Sequence, residues 1–283
     1  MEIRKLTASD IEALKNMETG INDDYVVRIF PRIVEARSHE LFGLFENGSM
    51  VVIAGVTFFE NRYAVLGRLR TDRSHLQKGY ATKLLHAITE TLTEKEEIQW
   101  IGAATNTNNP AAVKVLHKLG MNMHSAFHSV TIDPADASFL TGNEDKTWDE
   151  VTGVEEKRYL LEQLPPAKNE LQLFPYECYY PLPYEPQFLS DVYLAKCIFY
   201  KKGSRFAVVM PDEKAESYFH VKYFHEDLFK QSGLWNTIVP LAEDNGRKFW
   251  LDLPPDSFIS MPERSRFNIQ DQWALYGRRI IHT

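Results

Sequence analysis

Tyr63-Ala64-Val65-Leu66-Gly67-Arg68-Leu69-Arg70-Thr71 runs into Asp72-Arg73-Ser74-His75-Leu76-Gln77-Lys78-Gly79, and that into Tyr80-Ala81-Thr82-Lys83-Leu84-Leu85-His86-Ala87-Ile88-Thr89-Glu90-Thr91-Leu92. The first nine residues, rich in β-branched and aromatic side chains, read as a strand; the next eight break the period and turn the chain. From Tyr80, Ala81, Leu84, Leu85, Ile88 and Leu92 recur at helical spacing, with Thr82, Lys83, His86, Thr89 and Glu90 between them, which predicts an amphipathic helix with one buried face. A helix start exposes unpaired backbone N–H groups and the positive end of the macrodipole, and Gly79 lets a ligand approach the backbone. An anion site is one reading of that junction. A tight turn is the other.

A second stretch stands downstream. In Asn106-Thr107-Asn108-Asn109-Pro110-Ala111-Ala112-Val113-Lys114-Val115-Leu116-His117-Lys118-Leu119-Gly120-Met121, Asn109 suits an N-cap and Pro110 the first helical turn. Ala112, Val115, Leu116 and Leu119 form an apolar stripe, and Gly120 suits the residue past the helix end. Strand-like Trp100 to Thr105 separates the two stretches.

In this order the two stretches resemble the GNAT superfamily of N-acetyltransferases. Its acetyl-CoA loop has Gln or Arg, two residues, Gly, one residue, then Gly or Ala, and Leu76-Gln77-Lys78-Gly79-Tyr80-Ala81 falls on that pattern after Thr71-Asp72. Leu76 replaces the usual Gln or Arg, and Gln77 stands where an earlier Gly is common; Gly79 and Ala81 are kept. The later stretch is similar to the family's alanine-bearing helix ending in Leu-Gly-Phe. The resemblance implies an α/β fold (α+β mixed sheet) of the acyl-CoA N-acyltransferase type, with acetyl-CoA as acyl donor. Cofactor contacts are then expected from Arg70, Thr71, Gln77, Lys78, Gly79, Tyr80, Ala81, Thr82 and Asn109.

The flanking sequence fits that frame. Glu2 to Leu6 alternates like a strand, and Thr7-Ala8-Ser9-Asp10 reads as a capping box opening a helix through Ile11, Leu14 and Met17. Tyr25 to Val34 predicts a second helix, in a region that borders the acceptor site in the family. Glu40 to Glu46 and Met50 to Phe59 flank Asn47-Gly48, a strong hairpin signal. Gly67 inside the strand from Tyr63 predicts a bulge, which in the family splays two strands apart. Met121 to Asp133 reads as a further strand closing a first domain at residues 1–135.

Residues 136–170 read as a helical connector, charged from Glu144 to Glu150 and from Glu155 to Arg158 and ended by Pro165-Pro166. Phe174 to Pro186 is dense in Tyr and Pro, which predicts a stiff loop packed against the second domain, with a substrate lid as the alternative. Val192 to Tyr200, Phe206 to Met210 and Tyr218 to Phe224 read as a meander, succeeded by a helix, Lys248 to Leu253 and a last strand from Trp273. That rhythm resembles a worn repeat of the first domain, so 171–283 is expected to be a degenerate GNAT-like C-terminal domain. His225-Glu226-Asp227 stands where its glycine loop would be, filling the anion site with the protein's own charge.

The 283 residues suffice for two cores, and 44% hydrophobic with 25% charged residues is ordinary for a globular protein. A net charge of −7 argues against nucleic acid as the main partner. No apolar run reaches the length of a membrane span, and the chain opens on strand-like sequence, so the cytoplasm is the default expectation. Cys178 and Cys197 give no disulfide framework and no metal spacing; they read as inert core thiols, and no metal is expected. The pairs His124 with His128 and His220 with His225 lack a third clustered ligand. A homodimer is allowed for.

Acetyl transfer to an amine needs a base, donors for the developing oxyanion and a proton for the departing thiolate. In the family, backbone N–H groups here near Arg70-Thr71 face the thioester, and the general acid is a Tyr that maps onto Leu116, which cannot donate. Glu60 and His75 are the candidate bases. Arg68 and Arg70 alternate onto one strand face and are candidate contacts to an acceptor carboxylate. The reading is an N-acetyltransferase acting on a small-molecule amine or amino acid, with a catalytically inactive acyl-CoA-binding or regulatory module as the alternative.

Overall fold

The computed structural model describes residues 1–143, 147–164 and 171–282. Glu144 to Lys146, Pro165 and Pro166, parts of the expected connector, lie outside the described residues. The chain forms two compact units, one of Met1–Thr105, Asn109–His124 and Leu275–Thr283, the other of Asn106–Asn108 and Ser125–Ala274.

The first unit is a sheet with helices on both faces. Its elements are β1 (Glu2–Lys5), α1 (Ile11–Lys15), α2 (Tyr25–Glu35), β2 (His39–Glu46), β3 (Ser49–Phe59), β4 (Tyr63–Thr71), α3 (Tyr80–Thr93), β5 (Trp100–Asn106) and α4 (Pro110–Lys118). β1 to β4 pair antiparallel in sequence order, and β4 pairs parallel with β5 across the α3 crossover. The β2–β3 hairpin closes on Asn47 and Gly48, both at positive φ, as a two-residue turn with the right-handed strand twist demands. α1 and α2 bury Leu14, Val26, Phe30 and Ile33 against Leu6, Leu41, Phe45 and Ile53 of the sheet. The predicted capping box forms: the Thr7 N–H donates to Asp10 Oδ2 at 2.8 Å, and Arg4 donates to both Asp10 oxygens at 3.0 and 2.6 Å.

The Arg4 hydrogen bonds, together with those from Thr7, hold the Asp10 carboxyl at about 2, below its ordinary 3.8. A depressed carboxylate pKa stabilises the fold above the unfolded value and loses that contribution as pH falls through the folded one. Asp10→Asn is therefore expected to lower unfolding free energy by about 1–2 kcal/mol at pH 7. In urea titrations the difference should shrink between pH 4 and pH 2; an equal loss at both ends would refute the pairing.

The second unit begins within β6 (Asn122–Ile132) and continues through α5 (Pro134–Ala137), β7 (Asp149–Val151), α6 (Val154–Glu162), β8 (Leu173–Glu177), β9 (Tyr180–Pro183) and α7 (Asp191–Lys196). β10 (Ile198–Lys202), β11 (Arg205–Glu213), β12 (Ser217–Tyr223), α8 (Ser232–Asp244), β13 (Lys248–Leu253), α9 (Pro255–Ile259) and β14 (Asn268–Arg279) complete the chain. β7, β10, β11 and β12 pair antiparallel, and β12 pairs parallel with β13 across the α8 crossover. This is the strand order of the first unit over again. Its core gathers Val209, Phe219, Val221, Leu234, Trp235, Ile238, Phe249 and Leu251.

Three expectations change. Residues 136–170 are no free connector, since Asp149–Val151 pairs with β10 as an edge strand and Trp148 is buried in the second core. The Tyr/Pro segment forms the β8–β9 hairpin, whose two strands are both edges and so tolerate Pro175, Pro181 and Pro183. Asp191 to Lys196 is helix rather than strand, capped by Ser190, whose Oγ accepts from the Tyr193 N–H at 3.1 Å.

The closing strands also change places. His128–Ile132 of β6 pairs with β13 and buries Val130 and Ile132 in the second core, whereas Leu275–Thr283 belongs to the first unit, where the Ile280 N–H donates to Gln99 O at 2.8 Å. Both strands carry a continuous buried run, Ser129–Ile132 and Ala274–Gly277, so their hydrophobic pattern does not say which unit each closes. Among the described residues no helix is long and apolar enough to cross a membrane.

Candidate active site

β4 and β5 begin as partners and then part. Their register runs from Tyr63↔Trp100 to Val65↔Gly102 and ends there. On the other edge of β4 the register with β3 shifts between Ile53 and Gly55, beside Arg68 at φ +54°. This is the bulge expected near Gly67: the extra residue kinks β4, and the β5-facing backbone of Leu66 to Thr71 lies outside the ladder with β5.

At the end of β4 the chain turns through Asp72, which accepts from the Glu18 N–H at 2.9 Å and the Ser74 N–H at 3.0 Å. The Ser74 hydroxyl bond and these amides hold the Asp72 carboxyl at about 2. Gln77 at φ +62° and Gly79 at φ +79° then lead into α3. Gly79 is the N-cap and offers no side-chain acceptor, and the first turn carries no acid, so its backbone N–H groups and positive dipole end stay uncompensated by the helix's own side chains. A Cβ built on Gly79 meets nothing within 4 Å. Gln77 and Lys78 are exposed beside it. An open set of amide donors next to a cation is what a diphosphate needs, so the residues present fit acetyl-CoA.

Thr71, Gln77, Lys78, Gly79, Tyr80, Ala81 and Thr82 are thus gathered along one loop and helix start. Tyr80 donates its hydroxyl to Glu46, and His75 stands 3.2 Å from Glu46 Oε2 and 3.2 Å from Asp72 Oδ1. The Tyr80 hydrogen bond draws the Glu46 carboxyl below its ordinary range. Held between two carboxylates, His75 ties the loop to the end of β2. That contact anchors the loop. At the start of α4, Asn109 Oδ1 accepts from the Ala112 N–H at 3.1 Å, so its carbonyl caps the helix and only its amide N–H groups are left to offer a cofactor.

Glu60 is not brought to this place. It lies in the β3–β4 turn ahead of Tyr63, whereas the bulge starts four residues further, about 13 Å along the strand. Arg70 is also reassigned: its guanidinium makes a two-pronged pair with Asp24, Nε to Oδ2 at 2.6 Å and Nη2 to Oδ1 at 2.9 Å. The anion expected from a substrate is supplied by the chain. Arg68 donates to Thr57 Oγ1 at 2.9 Å, while its buried Nε has no partner. His39 is in register with Thr57 and, being a direct cross-strand neighbour, shares its face. Nothing in the sequence pattern marked His39, because strand register rather than spacing brings it beside Thr57 and Arg68.

The second unit repeats the parting with a different filling. β12 and β13 pair only from Tyr218↔Lys248 to His220↔Trp250, and a cavity of about 700 Å³ opens beyond, lined by His220, Lys222, Arg205, Asp227 and Asp252 among others. Ahead of α8, whose N-cap is Gln231, stands Asp227, which accepts from Tyr223 Oη at 2.9 Å, Gln231 Nε2 at 2.7 Å and Arg205 Nη1 at 2.7 Å.

A sequence profile of the acetyltransferase (GNAT) family matches residues 10–121. Among solved structures, the chain is similar to a GCN5-related N-acetyltransferase from Sphaerobacter thermophilus, with TM-score 0.61, 11% identity, and 99% of this chain and 96% of that one covered. It is also similar to a protein assigned as an acetyltransferase from Thermoplasma acidophilum, with TM-score 0.60, 13% identity, and 99% and 100% covered. At such identities the likeness is one of fold, and it extends over both units. No protein of curated function matches the sequence.

Proposed function

Because residues 10–121 form a domain of the acetyltransferase (GNAT) family, we propose that the chain is an N-acetyltransferase moving the acetyl group of acetyl-CoA to the amine of a small molecule or amino acid. The observation that carries the proposal is the parting of β4 from β5 beside an uncapped α3 N-terminus. When bound, acetyl-CoA supplies an activated acyl group: a C–N bond forms as the C–S bond breaks, the amine gives up a proton and the departing thiolate takes one up. The N–H groups from Gly79 to Thr82 and the Lys78 ammonium hold the diphosphate. The unladdered edge of β4 offers hydrogen bonds to the pantetheine amides and the carbonyl oxygen, a role positioning performs without a charged group.

The acceptor is assigned to the α2-side face of the sheet, where Thr57, Arg68 and His39 meet. Of these, His39 is the group able to take the amine proton near neutral pH. Leu116 is buried at 4% exposure, so the thiolate draws its proton from solvent. That residue favours the second reading, a catalytically silent acyl-CoA-binding module. A thiol-release assay over a panel of amines and amino acids, run beside calorimetry with coenzyme A, separates them. The enzyme reading expects both binding and acceptor-dependent release. Binding without release on any acceptor would establish the silent module.

His39→Gln is expected to lower kcat about 100-fold with acetyl-CoA affinity unchanged. The loss should be smaller at pH 9, where a larger fraction of the amine is already neutral. A pH-independent loss would remove His39 from proton transfer.

A further inference from the structure

We propose that Cys178, Asp212 and His220 of the second unit bind one transition-metal dication of the zinc class. They come from three elements: the β8–β9 turn, β11 and β12. A sulfur, a carboxylate oxygen and an imidazole nitrogen lie within 4.8 Å of one another, and all three residues are buried, at 0%, 8% and 0% exposure. A tetrahedral ion with bonds of 2.0–2.3 Å holds its ligand atoms about 3.5 Å apart, so small side-chain rotations close the set.

The second observation is His220 itself. Neither ring nitrogen makes a hydrogen bond; Nε2 stands 3.3 Å from Asp252 Oδ2, and Nδ1 has no partner. A buried imidazole left this way costs desolvation that a ligand bond would return. A metal on one nitrogen with a carboxylate on the other is the usual outer arrangement of a ligating histidine.

Asp252 is fixed for that task, accepting from Ser129 Oγ, from Trp250 Nε1 at 2.9 Å and from the Tyr179 N–H at 3.2 Å. Asp212 is held by the Cys178 N–H at 2.8 Å and by Lys214 Nζ at 3.2 Å.

Charge balance agrees. A thiolate and the Asp212 carboxylate offset a dication, while the Lys214 ammonium also pairs with Glu177 at 3.2 Å. The nearby Lys222 is buried and already donates to Tyr176 O at 3.1 Å and Tyr193 Oη at 2.8 Å. Coordination to the ion would deprotonate the Cys178 thiol. One sulfur, one nitrogen and one oxygen donor select zinc, cobalt or iron over magnesium and calcium.

The test is metal content of the full-length protein after desalting, by inductively coupled plasma mass spectrometry. About one zinc per chain is expected, with less than a tenth of that in Cys178→Ser and full occupancy in Cys197→Ser, the other buried thiol. Cobalt in place of zinc should give a near-ultraviolet thiolate-to-metal band that Cys178→Ser abolishes. Asp252→Asn should weaken zinc about 10–100-fold. Adding zinc to chelated wild type should raise its melting temperature, and that of Cys178→Ser should not move. Protein that takes up no stoichiometric metal, or a Cys178→Ser variant that folds and binds zinc as wild type does, would overturn the proposal.

Discussion

Gly79→Val is expected to raise the KM for acetyl-CoA about 100-fold, equal to about 2.7 kcal/mol of lost binding. Two effects combine at this position. A β-branched residue at φ +79° carries a backbone strain of about 1–2 kcal/mol. Its side chain also fills space that is open for 4 Å around the glycine's missing Cβ, above the first-turn amides. Gly79→Asn separates the two, since asparagine tolerates the left-handed region. It should keep the melting temperature near wild type and still lose most of the affinity, because its side chain covers the same amides. Calorimetry with coenzyme A reads the binding and thermal unfolding reads the strain. A Gly79→Asn protein that binds coenzyme A as wild type does would show that the diphosphate is not held at this turn.

The turn was legible because local chemistry settles it. Strand, glycine-bearing break and amphipathic helix between Tyr63 and Thr93 arise from residue spacing, and the Asn47-Gly48 hairpin, the Thr7–Asp10 box and the Asn109 cap are likewise written within a few residues of themselves. What sequence did not disclose is long-range. The division of Ser125–Ile132 and Leu275–Arg279 between the two units depends on which neighbour each strand meets, and both carry a continuous buried run. Arg70 read as seeking an anion from outside because its partner, Asp24, lies 46 residues back. His39 joins Thr57 through register, and Cys178 joins Asp212 and His220 through three elements. The thiol that looked inert by spacing acquires neighbours only when the β8–β9 hairpin folds over β11 and β12.

The Arg70–Asp24 pair decides how the α2 end of the cleft is built, and Arg70→Met should cost about 3–5 kcal/mol of stability at pH 7. The Asp24 side chain is 6% exposed and that of Arg70 14%, so removing the guanidinium strands a carboxylate in a place where water does not reach it well. Burial works against the Asp24 carboxylate, and the Arg70 hydrogen bonds outweigh it, keeping its pKa below the ordinary value. In the wild type this stabilisation is present above about pH 4 and is lost as pH falls through the folded pKa. In Arg70→Met the sign reverses. Burial then raises the Asp24 pKa, the folded state takes up a proton more readily than the unfolded, and acidification from pH 7 to pH 5 narrows the gap to wild type. Arg70→Met with Asp24→Asn should recover most of the loss, because the amide keeps an oxygen to accept from the Val26 N–H, now at 3.0 Å from Asp24 Oδ1, and carries no charge. Urea unfolding at the two pH values tests the stability claim. The same double variant tests function: an acceptor KM within about twofold of wild type shows that Arg70 shapes the α2 N-terminus without touching the acceptor. A large rise in that KM in a protein of restored stability would return Arg70 to the acceptor's carboxylate.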